Sequence, residues 1–249
     1  MTALGFDASE PFAADNGANG VLVLHGYTGT PRSLRPLANA FSRSGFSVEL
    51  PLLPGHGTNV EDLFDRRYAD WIEVAEVAFA RLLARGGPVV VCGLSMGGTL
   101  ALDLALHHRE IAGLVLINPA VAAPSLYSLL QSALDAGTVS IPSIGSDIAK
   151  PGESGGGYGE TPIAAMMSIF EATERIAPRL CDIACPAVLF SSRTDHVVPT
   201  QSSDLVESAY GGPLERVILE RSYHVATLDY DAERIERDAV AFAQKVTGG

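Results

Sequence analysis

The chain has 249 residues, 47% of them hydrophobic and 18% charged. That is enough apolar material for a substantial core and far from the composition of a disordered chain. Lys plus Arg number 17 against 29 Asp plus Glu, a net charge of −12, and such a field repels phosphate backbones and anionic lipid head groups, which speaks against nucleic acid as a partner.

The opening "MTALGFDASEPFAADNG" has acidic residues and no basic segment followed by an apolar one, so no secretory leader is expected. No uncharged apolar run reaches membrane-spanning length, and a cytoplasmic protein is the default expectation. Short β-rich runs then alternate with helical patterns. "GVLVLHG" (20–26) reads as a buried strand ending in a glycine loop. Residues 30–45 read as a helix with Thr30 as N-cap, Pro31 at the first position, Leu34, Leu37, Ala38 and Phe41 on one face and Gly45 as stop, although Pro36 sits oddly inside it. A strand at 46–51 and a strongly amphipathic helix at 69–87 follow, then a strand at 88–93, a helix at 96–108 and a strand at 112–118. From Pro119 to about Ala172 the rhythm breaks and no strand is expected. It resumes with a strand at 186–192, a helix near 200–209, a strand at 215–220 and a last helix at 231–246. Strand–helix alternation predicts an α/β fold, a mostly parallel sheet with helices on both faces. The whole chain reads as one domain, with the segment at about 119–172 as an insertion carrying its own apolar stretches, "PAVAAPSLYSLL" and "PIAAMMSIF".

Two pentapeptides match the G-x-S-x-G pattern of serine hydrolases, Gly93–Gly97 and Gly152–Gly156. A nucleophile on a strained turn needs a buried strand before it, a helix directly after it, and glycines where the two approach too closely for side chains. Ser95 has all three: "PVVVC" before it, Gly93, Gly97 and Gly98 around it, and an Ala/Leu-rich helix after it, whose N-terminus adds partial positive charge. Ser154 lies in "KPGESGGGYGE" with no strand before it and reads as a flexible-loop serine.

The order acid, then histidine, should follow the nucleophile. His107 and His108 lie near a helix end and read as surface residues, and His196 directly follows the best acid. His224, after the strand at 215–220, is the candidate base. Asp195, in the loop after the strand at 186–192, is the candidate acid. Asp182 precedes that strand, Asp204 reads as a solvated helix residue, and Asp229 comes after the base. The backbone N–H groups of Met96 and Tyr27 are the candidate oxyanion donors. His25 and His56 read as loop architecture. Cys92 reads as a small buried hydrophobe, and Cys181 and Cys185 lack a His or Cys at ligand spacing, so reduced thiols and no metal or other cofactor are expected.

Together "HGYTGTP", "LPGHGT", "GLSMGG", "PSIGSDI", "SRTDHVVP" and "SYHVATLDYD" resemble the bacterial monoacylglycerol lipases and related carboxylesterases of the α/β-hydrolase fold, from about residue 20 onward. That resemblance implies the same triad of Ser95, Asp195 and His224, a lid or cap at 119–172, and Ile144 lining the acyl or glycerol passage. It also implies a cap carboxylate near the glycerol hydroxyls, for which Glu153 and Glu160 are available. The expected partner is a small neutral ester with an apolar acyl chain. Monoacylglycerol is the sharper reading; a broad short-to-medium-chain carboxylesterase, or an acyltransferase with the same triad, is the alternative. A serine peptidase is disfavoured by the small apolar insert, and a ligand receptor by the completeness of the triad.

Overall fold

The computed structural model describes residues 9–122 and 127–248. The first eight residues of the leader reading, and residues 123–126 of the apolar segment that starts at Pro119, lie outside them. In chain order the strands of the main sheet are β1 (Phe12–Ala14), β2 (Gly20–Leu24), β3 (Ser47–Leu50), β4 (Val89–Leu94) and β5 (Ile111–Ile117), and beyond the insertion β8 (Ala187–Ser192) and β9 (Leu214–Leu219). The insertion holds two further strands, β6 (Ser140–Pro142) and β7 (Glu160–Pro162). The helices are α1 (Arg35–Arg43), α2 (Glu61–Phe64), α3 (Tyr68–Leu83), α4 (Met96–His107), α5 (Tyr127–Asp135), α6 (Ile163–Ile176), α7 (Gln201–Ala209) and α8 (Ala232–Thr247).

The main sheet has seven strands in the order β1-β3-β2-β4-β5-β8-β9. All neighbours are parallel except β1, which pairs antiparallel with β3 at the edge. Alternation along each strand divides the core in two. Leu22, Leu24, Val89, Val91, Leu114 and Leu116 face α3, α4 and α6, while Val21, Val23, Val90, Cys92, Val115 and Ile117 face α1 and α8. A strand buried on both faces is apolar throughout, which is why these segments read as continuous hydrophobic runs.

Two differences from the sequence expectation have local causes. Residues 30–45 form a short 3-10 turn, Pro31–Leu34, and only then α1, so that Pro36 falls in the first turn of the α-helix. There a missing N–H costs nothing. The segment expected to contain no strand holds β6 and β7, paired antiparallel over three residues each. Each ends in a proline, and three residues are too few for an alternation pattern to register. The helix that closes the insertion also runs beyond residue 172. In α6, Ile163 and Met167 face α5, whereas Ala165, Ile169, Ala172 and Ile176 belong to the main core. The insertion is therefore carried on a helix that is itself part of the body.

The order in which strands are added to the sheet reverses between β2 and β4. After β2 the chain adds β3 on one side, then crosses to β4 on the other. The crevice outside the carboxyl ends of two such strands is where open α/β sheets bind ligands. It is formed here by His25–Gly26–Tyr27 after β2 and Ser95 after β4.

Candidate active site

Ser95 is the hinge between β4 and α4, with φ +57° and ψ −118°. That conformation costs a non-glycine residue on the order of 1–3 kcal/mol and persists only where the surroundings enforce it. They do so here through the main chain: the Ser95 N–H donates to the Ile117 carbonyl (3.0 Å), and the Ser95 carbonyl accepts from Gly98, Thr99 and Ala120. The flanking glycines are steric necessities. A Cβ on Gly97 would lie 1.9 Å from the Leu24 carbonyl oxygen, and one on Gly93 2.0 Å from the Gly97 carbonyl oxygen. The first residues of α4 pack that closely against β2 and β4. Ser154 has none of this setting: it is exposed, its hydroxyl accepts from the Gly156 N–H, and no strand precedes it. Its loop is nonetheless tied down, by Arg32 donating to the Ser154 carbonyl and by the Tyr158 N–H donating to the Thr28 carbonyl.

His224 and Asp195 meet at the ends of β9 and β8. Nδ1 of His224 lies 2.8 Å from Oδ2 of Asp195, and the two side chains are 7% and 3% exposed. The other carboxylate oxygen of Asp195 accepts from the Val197 and Val198 N–H groups, at 2.9 and 2.8 Å. An acid so held fixes the histidine tautomer with Nδ1 protonated, leaving Nε2 to accept. The rival carboxylates are otherwise engaged: Asp182 with Arg179, Asp204 with Arg216, and Asp229 with four backbone N–H groups.

The loop after β2 closes over Ser95. A Cβ on Gly26 would stand 3.3 Å from Ser95 Cβ and 3.8 Å from its Oγ. The N–H groups of Tyr27 and Met96 donate to no described residue. The Tyr27 side chain anchors the loop from above: its hydroxyl donates to the Pro162 carbonyl at 2.7 Å, and its ring packs on Trp71. From below, His25 Nε2 accepts the Leu53 N–H at 3.1 Å. Burial pushes the His25 imidazole down to about 4 and His56 beside it down to about 3, with His25 adding to the effect on His56. Both are neutral scaffold histidines, which fits their reading as loop architecture.

Ser95, His224, Tyr27 and Met96 all line one cavity of about 280 Å³. The insertion supplies most of its apolar wall, through Leu130, Ile141, Met166, Ile169 and Phe170. Ile144 stands at the mouth, lining the cavity while 64% exposed. Glu153 and Glu160 do not reach the cavity: Glu153 pairs with Lys150 at 3.3 Å and Glu160 accepts from the Ser140 hydroxyl. Glu153 is thus not brought to the position that the resemblance implied, because the glycine-rich loop turns it toward its own neighbour in sequence. Among the described residues, no Asp, Glu, Lys or Arg lines the cavity. A larger hollow of about 570 Å³ between α3, α4 and α6 contains neither Ser95 nor His224.

Two further polar residues frame the site, Asn118, which is buried, and Asp147, whose side chain is 7% exposed. Asn118, at φ +43°, donates through Nδ2 to the His224 carbonyl at 2.8 Å and accepts the Ser192 N–H on Oδ1. Asp147, in "PSIGSDI", accepts the His224 N–H at 3.1 Å. For Asp147 the signal was present, as a motif used only for likeness; for Asn118, directly after a strand end, there was none. Among the described residues, no three His, Cys, Asp or Glu side chains gather as a metal site, the three cysteines are free, and no helix is long and apolar enough to cross a membrane.

A serine poised on a strand–helix turn, in one apolar cavity with a buried Asp–His pair, on a parallel sheet, defines the class of the serine ester hydrolases. The chain belongs to the alpha/beta hydrolase family, whose sequence model matches residues 21–237. It is 40% identical over 241 residues to the thermostable monoacylglycerol lipase of Bacillus sp. (strain H-257), covering 96% of each chain. It is 24% identical to the carboxylesterase of Bacillus subtilis (strain 168), over 95% of this chain and 97% of that one. Among solved structures, one from work on the metagenome-derived lipolytic enzymes LipS and LipT superposes with a TM-score of 0.91 at 36% identity, covering 96% of this chain and 98% of that one.

Proposed function

We propose that the chain hydrolyses monoacylglycerols to fatty acid and glycerol through an acyl-enzyme on Ser95. His224 takes the Ser95 proton as Oγ attacks the ester carbonyl, and the tetrahedral oxyanion is met by the Tyr27 and Met96 N–H groups. The C–O bond to the alcohol then breaks, and the alcohol leaves with the proton from His224. Water, deprotonated by His224, attacks the acyl-enzyme; on collapse the fatty acid leaves and Ser95 recovers its proton. Asp195 holds the imidazole and stabilises its charged form. The observation that carries this reading is that His224, held by Asp195 at 2.8 Å, opens with Ser95 onto one apolar cavity. The uncharged lining supports a neutral substrate, the apolar wall of the insertion supports an acyl chain beneath a cap, and the thermostable monoacylglycerol lipase at 40% identity supports the alcohol.

One feature favours a broader carboxylesterase as the second reading: among the described residues, no carboxylate lines the cavity to recognise glycerol hydroxyls. Hydrolysis of a medium-chain monoacylglycerol, the matching diacylglycerol and a p-nitrophenyl ester of the same acyl chain separates the two. The proposal expects strong monoacylglycerol turnover, weak diacylglycerol turnover, loss of both in Ser95→Ala and full activity in Ser154→Ala. Activity on the p-nitrophenyl ester alone would select the broader esterase. Undiminished activity in Ser95→Ala would remove Ser95 from the mechanism.

A further inference from the structure

The insertion also touches the loops that carry Asp195 and His224, through a residue that does not line the cavity. After β6 the chain turns through residues 143–150 and comes to lie against the two loops that carry Asp195 and His224. Asp147 sits at this junction with its side chain 7% exposed. Oδ2 accepts two backbone N–H groups, that of His196 at 3.1 Å and that of His224 at 3.1 Å. Oδ1 is 2.7 Å from Nδ1 of His196. The Asp147 carbonyl accepts the N–H of Val225 at 3.0 Å. One residue of the insertion therefore bridges the position after the acid to the base itself and to the position after the base.

The bonding is crossed. Asp195 holds the His224 side chain, while Asp147 holds the His224 main chain and both the main chain and side chain of His196. The opposite side of the His224 peptide is held by Asn118, which donates to its carbonyl. Asp229 then reinforces the junction in reverse. It lies beyond His224 in the chain, and its carboxylate accepts the N–H groups of Ala149 and Lys150 from the insertion, together with that of Tyr223. Two nearly buried carboxylates, one on each segment, thus cross-link residues 147–150 to residues 223–225. An ionised acceptor in such surroundings makes charge-assisted bonds about twice as strong as neutral ones, and leaving its buried donors unpaired is costly.

We infer that Asp147 is a positioning residue, a carboxylate on the insertion that sets the separation and orientation of Asp195 and His224 and so fixes the base for proton transfer. The inference rests on the reading of Ser95, His224 and Asp195 as the reacting set. It gives the insertion a role besides roofing the acyl chain: the segment after β6 is part of the frame of the base. Removing the carboxylate frees two backbone N–H groups on adjacent loops and lets the His224 loop drift. Displacement of a catalytic group by about 1 Å costs on the order of 10²-fold in rate.

The test compares Asp147→Ala, Asp147→Glu and Asp147→Asn with wild type and Ser95→Ala. It reads kcat and KM for a medium-chain ester, the rate of covalent labelling by a fluorophosphonate, and the downfield proton NMR signal of the Asp195–His224 hydrogen bond. Asp147→Ala is expected to lose about 10²-fold in kcat, with KM changed less than threefold, labelling slowed in parallel, and the downfield proton broadened or lost. Asp147→Glu keeps the charge but misplaces the acceptor, and is expected to lose at least tenfold in kcat; it decides the question if the alanine variant does not fold. Asp147→Asn still offers one oxygen to both N–H groups, while His196 can present its other tautomer to the amide. It is expected to stay within about fivefold of wild type and to keep the downfield proton. Folded Ala or Glu variants with wild-type kcat and labelling rates would overturn the inference, as would a loss that Asn does not rescue or a loss of stability with the NMR proton intact. If Ser95→Ala were labelled like wild type, the assignment of the nucleophile would have failed instead, which is a separate result.

Discussion

Nδ1 of His224 faces Oδ2 of Asp195 across 2.8 Å, and neither side chain is more than 7% exposed. In the proposed mechanism the carboxylate does two things in so dry a setting: it holds the tautomer that leaves Nε2 free to accept, and it offsets the charge that would appear on the imidazole as Ser95 gives up its proton. Asp195→Asn keeps the shape and can still accept from Val197 and Val198, but turns an amide donor or a neutral oxygen toward Nδ1. The expected result is a fall in kcat of about 10⁴-fold with little change in KM. Steady-state kinetics on a monoacylglycerol, with circular dichroism to confirm the fold, checks it. Retention of a tenth of the activity would mean that Asp195 is not the acid.

The strained turn at Ser95 makes a separate prediction about stability. Gly97 is the first glycine of α4, and its missing side chain is what lets that helix approach the end of β2; an added Cβ would sit 1.9 Å from the Leu24 carbonyl oxygen. Backbone cannot yield by the required 1–2 Å without displacing the Gly26–Tyr27 loop. Gly97→Ala is therefore expected to destabilise by several kcal/mol, at or above the usual 1–3 kcal/mol of overpacking, and to lose activity even where folded. Gly26→Ala meets Ser95 Cβ at 3.3 Å, a contact that a few tenths of an ångström relieves, and is expected to fold. Urea denaturation of both variants ranks them; equal stability would contradict the close approach at the elbow.

How much of this was legible beforehand differs by residue, for physical reasons. Ser95 could be read because a strand, a serine, three glycines and a helix are contiguous in the chain, so one local constraint writes one local pattern. Asp195 and His224 could be read because each must follow a strand of a parallel sheet, and chain order restricts the choice. Asp147 could not. Its partners His196 and His224 are 49 and 77 residues away, and a carboxylate that binds backbone N–H groups imposes no residue type on the other side. β6 and β7 were missed because three-residue strands ending in proline are too short to show a period. Glu153 was drawn toward the site by likeness alone, and the turn chemistry of its glycine-rich loop sends it to Lys150 instead.

His25 and His56 predict how stability responds to acid. Burial pushes His25 down to about 4 and His56 down to about 3, whereas both titrate near 6.5 in an unfolded chain. Above about pH 6.5 both states are neutral and neither group affects folding. As pH falls below that value the unfolded chain takes up two protons that the native state refuses, so stability falls. The fall continues until pH passes through the folded values, near 4 and then near 3. Each group contributes a slope approaching 1.4 kcal/mol per pH unit inside its window, so about 2–3 kcal/mol per unit together between roughly pH 6 and 4. Denaturant midpoints at pH 7, 6 and 5, read beside the imidazole C–H resonances, test this. Resonances of His25 or His56 that titrate near pH 6.5 while the protein stays folded would refute it.

Phe170 carries the last prediction, on what limits the acyl chain. It lines the cavity from α6 and packs against Tyr127 of α5 at a ring separation of 6.2 Å. It belongs to the small apolar cluster of the insertion, not to the core beneath the sheet. Because Phe170 is only half-buried, Phe170→Ala should cost less than the 3–5 kcal/mol typical of a core phenylalanine, and the protein should fold. The space released lies in the apolar wall, remote in sequence from the Asp195–His224 pair and from the Ser95 elbow. The rate on a medium-chain substrate should therefore change little or fall slightly, while longer chains gain. Each additional methylene accommodated in an apolar pocket is worth on the order of 1 kcal/mol, so the long-to-medium ratio of kcat/KM should rise by about tenfold. Competition between two monoacylglycerols of different chain length in one reaction measures that ratio directly. An unchanged ratio would mean that the acyl chain does not run along α6, and that the wall formed by Leu130 of α5 and Ile141 of β6 sets the limit.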